Sequence, residues 1–245
     1  DRLEDKKKLI ELQLTMAYKA KINYVDVFSQ VRMWDMIVHN YLMKVNVVIP
    51  PKSSKDKSTQ FEGAFVKEPL IGLHKWVASF DLNSLYPHLI MQYNISPETL
   101  QQESVEKGVD HYLKNPAKES EYAVAANGSQ YRKDFRGVFP SIMEDFYNQR
   151  KVAKKEMLQA QQLYENENDP RQLKVISSKN NYQMGMKIAL NSAYGALGNQ
   201  YFRYFDLKMA EAITTSGQLS IRWIHDRMND YLNKIIGTKD EDYII

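Results

Sequence analysis

The sequence predicts a helix-rich fold with a minor β component, on three observations. Apolar residues recur at helical spacing over much of the chain, one short apolar run leans toward strand, and an Asn-Gly pair separates two strand-like segments. In chain order, residues 3–46 read as helix. Leu9, Leu12, Met16 and Ala17 mark one periodic stretch and Val27, Val31, Trp34, Ile37 and Tyr41 a second, both predicted to face a core. Pro50-Pro51 ends the pattern. Lys52 to Thr59, rich in Lys and Ser, is predicted to be an exposed linker and a boundary. From Trp76 to Leu82 the run WVASFDL is apolar and β-leaning, with Asp81 as its only charge, which predicts a buried strand delivering one carboxylate. Residues 121–133 predict a hairpin in which Asn127-Gly128 supplies the positive φ angles of a type I′ turn. Residues 141–166 and 171–196 predict two long helices, separated by Asn166-Glu167-Asn168-Asp169-Pro170 into a helical hairpin. Residues 207–234 predict another amphipathic helix, and Asp242-Tyr243-Ile244-Ile245 the start of a strand.

Composition bounds the chemistry. With 245 residues, 43% apolar and 26% charged, the chain has enough apolar side chains for one sizeable core or two small ones. Lys plus Arg exceed Asp plus Glu by 33 to 30 and the pI is near 8.7, which suits an anionic partner without demanding one. There is no cysteine, so disulfides and thiolate metal sites are excluded, the cytoplasm is favoured, and any metal must sit on oxygen or imidazole. The charged N-terminal residues, and the absence of an apolar run near the roughly 18 residues of a membrane span, indicate neither secretion nor insertion.

The helical hairpin carries the first chemical signal. Arg150 and Lys154 lie four apart on its first helix, Lys187 and Asn191 four apart on its second, so each pair shares a face. With the bend near residue 168 or 169, both Arg150 and Lys187 lie about 18 residues from it, and antiparallel helices of equal rise set them level. Cations brought together from two helices repel unless an anion neutralises them, and phosphate fits Arg and Lys best. Long solvent-facing helices also carry Lys and Arg with no function, and Lys151, Lys155 and Lys174 do so here, so the residues alone leave both readings open. Tyr194 follows Lys187 by seven on the same face, with Gly195 next. That ring suits packing on a base, or simply the core.

The stretch Ser79-Phe80-Asp81-Leu82-Asn83-Ser84-Leu85-Tyr86-Pro87 resembles motif A of family B DNA polymerases, whose core is Asp-x-x-Ser-Leu-Tyr-Pro. Lys187-Ile188-Ala189-Leu190-Asn191-Ser192-Ala193-Tyr194-Gly195 resembles their motif B, in the same order along the chain. Asn94-Ile95-Ser96-Pro97-Glu98-Thr99, Asn148-Gln149-Arg150-Lys151, Ala196-Leu197-Gly198-Asn199 and Ala212-Ile213-Thr214-Thr215 extend the likeness, and it is similar to the T-even phage enzymes in particular. Upstream, the segment from Phe61 to Pro69 resembles the family's template-contacting Tyr-x-Gly-Gly/Ala element, with Phe61 in place of tyrosine.

This resemblance implies an α+β fold: a right-hand palm whose antiparallel sheet carries Asp81, with an inserted helical-hairpin fingers subdomain. Its parts would be residues 1–70, helices and linker from the exonuclease and N-terminal region; 71–140, the first part of the palm with motif A; 141–198, the fingers with motif B; and 199–245, the rest of the palm. The implied activity is template-directed transfer of a nucleotide from dNTP to a primer 3′ hydroxyl, by a two-metal Mg²⁺ mechanism. Carried over residue by residue, Asp81 is catalytic and a metal ligand, with the Leu82 carbonyl as second oxygen donor. Ser84, Leu85, Tyr86, Arg150, Lys154, Lys187 and Asn191 bind the nucleotide, Tyr86 lying under the deoxyribose as a steric gate. Phe61, Gly63, Ala64, Tyr194 and Gly195 face template and primer. Asp81 read alone, without the motif, is a cap for the helix that follows rather than a metal ligand.

Three departures qualify this. The interval from Arg150 to Lys187 is shorter than in the T-even enzymes, the chain begins after the last exonuclease motif, and Asp242-Tyr243-Ile244-Ile245 resembles the strand leading into motif C without the motif itself. The expectation is an incomplete active site, inactive until a remaining segment supplies motif C and the thumb. The alternatives are a non-catalytic fragment that binds dNTP and template, or one half of a split polymerase. The expected partners are primer-template DNA, dNTP and that remaining segment.

Overall fold

The computed structural model describes Glu4 and residues 8–52, 63–105, 107–116 and 119–244. Helix α1 (Leu9–Ala20) buries Leu12, Met16, Ala17 and Ala20 along one stripe. It stops where Lys21 turns left-handed (φ 53°) and Ile22 N–H donates to Ala17 O at 3.1 Å, which separates the helices of the two periodic stretches. Leu9, predicted to face the core, is exposed: it shares that stripe's direction but opens the helix, a turn before the first buried residue. A 3₁₀ turn (Tyr24–Phe28) leads to α2 (Gln30–Lys44), capped by the Ser29 hydroxyl and burying Met33, Trp34, Ile37, Val38 and Leu42. Pro50 and Pro51 follow without regular structure, and the predicted linker beyond Lys52 lies outside the described residues.

The predicted strand at 76–82 is not formed. Trp76 adopts φ 60°, a left-handed conformation that breaks a strand's path, and the run has no ladder partner among the described residues. Its apolar side chains lie in solvent, with Trp76 99% and Phe80 84% exposed. Strand-leaning composition describes a side chain's fit to a pleated surface, and no such surface is offered here.

Helix α3 (Leu85–Gln92) follows, and the chain then turns through Asn94 (φ 56°). Side chains of alternate residues cap the next long helix, α5 (Val138–Glu167). Asn94 Oδ1 accepts from Gly137 N–H at 3.0 Å, Glu98 Oε1 from Val138 N–H at 2.5 Å and Ser96 Oγ from Phe139 N–H at 3.3 Å. These donors have no acceptor within α5, and each such cap contributes about 1 kcal/mol.

Between those elements lie β1 (Leu100–Ser104), helix α4 (Val109–Lys114), β2 (Tyr122–Val124) and β3 (Ser129–Arg132). The three strands form an antiparallel sheet ordered β1-β3-β2, with Ala123 opposite Tyr131 and Leu100 opposite Tyr131 on the other side. The predicted hairpin is therefore present, but its turn is not type I′. Only Gly128 has positive φ (83°), and Gly128 N–H closes the turn on Ala125 O at 2.9 Å. Asn127 is occupied otherwise: Oδ1 accepts from Ser129 N–H and Nδ2 donates to Lys208 O, tying the turn to the last helix. Gly128 is required, since a Cβ there would lie 1.7 Å from Val105 O. The sheet does not carry Asp81, contrary to the expectation, because the segment containing Asp81 never joins it.

Helices α5 and α6 (Arg171–Leu197) form the predicted hairpin, broken at Asn168 (φ 54°) and Pro170. Helix α7 (Leu207–Ile236) starts at an Asp206 cap and ends at Gly237 (φ 78°). The residues after it, predicted as a strand, are instead held through side chains: Asp242 pairs with Lys67 at 2.7 Å and accepts from Asn229 at 2.9 Å. The Lys67 ammonium holds the Asp242 carboxyl well below the usual carboxylate range.

The core is centred on Trp34, fully buried and stacked on Phe139 with centroids 6.3 Å apart. Phe202 and Tyr204 extend the aromatic cluster. The Tyr204 hydroxyl is buried with no hydrogen-bond partner among the described residues, and burial, reinforced by the Asp35 carboxylate, pushes its phenol from 10.0 up to about 12. Because the folded value exceeds the unfolded one, this group's contribution is fully present below pH 10 and is lost as pH rises through about 12. Urea titrations are expected to show Tyr204→Phe losing less stability than the parent over that window. An identical decline in the two proteins would contradict the assignment.

Candidate functional site

Helices α3, α6 and α7 enclose a cleft of about 380 Å³ together with the segment at 81–84. Each wall follows from local structure. Ser84 adopts φ 54° and turns the chain into α3, which leaves the first amides of that helix without intrahelical acceptors. No side chain caps α3, so Asp81 is not its cap, and the Asp81 carboxylate is exposed in the cleft wall beside Leu82. One face of α6 buries Met186, Ala189, Leu190, Ala193, Ala196 and Leu197, which turns Lys187 and Asn191 outward into the cleft. Eight of the predicted site residues thus share one cavity: Ala64, Asp81, Leu82, Ser84, Leu85, Tyr86, Lys187 and Asn191.

The remaining ones distribute unevenly. Gly63 is held beside Ala64 by Gln218, whose Nε2 donates to Gly63 O at 2.7 Å. Phe61 lies outside the described residues. Arg150 reaches the rim: Nη1 is 3.5 Å from Oδ1 of Asn83, itself a lining residue, and Nε is buried with no partner among the described residues. Lys154, one turn further along α5, is exposed and does not line the cavity. Gly195 faces the other way, where a Cβ would lie 2.6 Å from the Gln30 amide oxygen.

Tyr194 packs half-buried against the core and does not itself line the cleft. Its ring meets Tyr86 edge-on, with centroids 4.9 Å apart at 60°. Burial raises both phenols above their ordinary value, with the Tyr194 shift reinforced by Tyr86, so both rings are neutral near pH 7. Arg150, Lys154 and Lys187 have no carboxylate in ion-pair contact among the described residues, whereas Lys179 on the same hairpin pairs with Glu156 at 2.7 Å. The hairpin therefore leaves cations free where it meets the cleft.

An oxygen-ligated cation can be weighed against these donors. The Asp81 carboxylate and the Leu82 carbonyl are hard oxygens suited to Mg²⁺. No group of three or more Asp, Glu or His side chains converges among the described residues. Among the described residues these donors fit a partial shell for one hard cation.

Sequence reasoning missed the contribution of α7. Gly217, Gln218 and Ile221 line the cleft, and Ser216 accepts from Ala126 N–H at 3.1 Å. A signal was present: a glycine in the interior of an otherwise regular helix costs about 1 kcal/mol relative to alanine, so it marks a close approach. Removing the Gln218 amide is expected to release the segment it holds. Hydrogen exchange at residues 63–66 should accelerate in Gln218→Ala, and unchanged protection there would show that the bond does not restrain the segment.

The model of "DNA polymerase family B" matches residues 24–242. The DNA-directed DNA polymerase of Escherichia phage RB69 is 36% identical over an alignment covering 100% of this chain and 32% of the relative. That of Enterobacteria phage T4 is also 36% identical, covering 96% of this chain and 31% of the relative. Among solved structures, the family B DNA polymerase from the hyperthermophilic archaeon Pyrobaculum calidifontis superposes with a TM-score of 0.66 at 20% identity, covering 98% of this chain and 33% of that one. The chain spans about a third of the length of the curated relatives it matches.

Proposed function

Given that this chain belongs to DNA polymerase family B, we propose that it is the dNTP-binding portion of a template-directed DNA polymerase, comprising palm and fingers. The observation that carries this reading is the single cleft in which Asp81, Lys187 and Asn191 surround the Tyr86 ring. In this reading residues 71–140 and 199–245 form the palm and 141–198 the fingers, with 1–70 left from the exonuclease side.

The reaction joins a primer 3′ oxygen to the α-phosphorus of a dNTP and breaks the bond to pyrophosphate, so the protein's task is to position groups and neutralise charge. Lys187, Asn191 and Arg150 grip the triphosphate, Lys154 adds a peripheral cation, and the unsatisfied amides at Ser84 and Leu85 donate to phosphate oxygens. Tyr86 packs under the deoxyribose. Gly63, Ala64, Tyr194 and Gly195 meet the template and the nascent pair, as does Phe61 through stacking. Magnesium bound at Asp81 and the Leu82 carbonyl would supply positive charge next to the reacting phosphate. Because the described cleft has one carboxylate where a two-metal mechanism shares two, full turnover draws on a further segment carrying motif C and the thumb. The one-carboxylate cleft also favours a second reading, in which the chain binds dNTP and template without catalysis or serves as one half of a split polymerase. If phage-encoded, it would work in the host cytoplasm.

Calorimetric titration with dATP and Mg²⁺ tests the nucleotide site. Binding is expected, and Lys187→Ala should weaken it by roughly tenfold or more, the value of a charge-assisted hydrogen bond. Binding indifferent to Lys187 and Asn191 refutes the reading. Primer extension by this chain alone is not expected; extension that vanishes in Asp81→Ala would show that one carboxylate suffices.

A further inference from the structure

Glycine is disfavoured within helices, yet α7 has one near its middle, buried between Ser216 and Gln218. The backbone there does not need glycine, since positive φ among the described glycines occurs only at Gly128 and Gly237. What needs it is Tyr86. A Cβ on Gly217 would lie 3.0 Å from Tyr86 Cε1 and 3.8 Å from Cδ1, with Leu89 Cδ1 at 3.7 Å. At 3.0 Å the neighbour must give by a few tenths of an ångström. Tyr86 cannot give by flexing a long side chain: its ring is rigid, its backbone lies in the first turn of α3, and its edge is set against Tyr194. Leu89, 6% exposed, is locked in the core behind it.

We propose that Gly217 is a specificity-determining positioning residue of the cleft: presenting no side chain to Tyr86, it sets how deep that ring sits and how much room remains for the 2′ substituent of a nucleotide sugar. This rests on the nucleotide reading above and adds to it a residue that acts through the Tyr86 ring. A methyl group at 217 drives the ring off α7 toward the cleft, where a 2′ hydroxyl is the first group to meet it. Ribonucleotides therefore lose more affinity than deoxyribonucleotides.

The test is calorimetric titration of the chain with dATP and with ATP, each with Mg²⁺. In Gly217→Ala the preference for dATP over ATP is expected to rise by roughly tenfold, the scale of one methylene in a fitted pocket. Tyr86→Ala should abolish the preference, and Tyr86→Ala/Gly217→Ala should match Tyr86→Ala alone, because the methyl group then has no ring to displace. An unchanged ratio in Gly217→Ala, or a ratio indifferent to Tyr86→Ala, overturns the proposal while the nucleotide site stands. A parent protein that binds neither nucleotide overturns both. If Gly217→Ala fails to fold by circular dichroism, the double variant decides: folding restored with the Tyr86→Ala ratio supports the proposal, and continued misfolding refutes it.

Discussion

The buried indole of Trp34 is the contact on which the arrangement of the long helices depends. Its Nε1 donates to Ala189 O at 3.2 Å and to Ser192 Oγ at 3.1 Å, so α2 is fastened to α6 beside Lys187 and Asn191. The ring buries about 200 Å², a stabilisation of about 5 kcal/mol at 25 cal/mol per Å², against about 1 kcal/mol net for each hydrogen bond. Packing supplies the energy and the hydrogen bonds supply the register. A buried indole N–H leaves only a few rotations of α6 acceptable, and the one adopted turns Lys187 and Asn191 into the cleft and Tyr194 onto Tyr86.

The other half of the hairpin is fixed from its far end. Asn94, Ser96 and Glu98 cap the first amides of α5, and Asn94 also donates to the carbonyls of Arg132 and Phe135. One turn of chain after α3 thus joins the sheet, α3 and the start of α5. Arg150, three turns into α5, is brought to the rim of the cleft whose floor is the first turn of α3. The cations and the Tyr86 floor are coupled through this short segment and not through the hairpin bend, which is exposed and far from the site.

Helix α7 closes the cleft with three consecutive residues that have different tasks. Ser216 receives the hairpin turn, Gly217 admits Tyr86, and Gln218 holds Gly63. A helix turns about 100° per residue, so neighbours in sequence face different elements, and one turn of α7 can serve three.

What the sequence determined by itself was the helices and the hairpin. Periodicity and the Asn168–Pro170 break are local properties, and the equal distances of Arg150 and Lys187 from that break follow from helical rise alone. Motifs A and B likewise named most of the residues that line the cleft. What only the tertiary structure decided was everything that depends on a partner in space. The run at 76–82 has strand composition but no neighbour to pair with among the described residues and a left-handed Trp76, so it stays irregular and exposed. The polar stretch Leu100–Ser104 carries no strand pattern, yet it pairs with β3. Asn127 belongs to α7 as much as to its own turn, and Gly217 is explained by a ring 131 positions earlier in the chain. A sequence specifies a side chain's own preferences; what it meets at 3 Å is fixed by the folds of other segments.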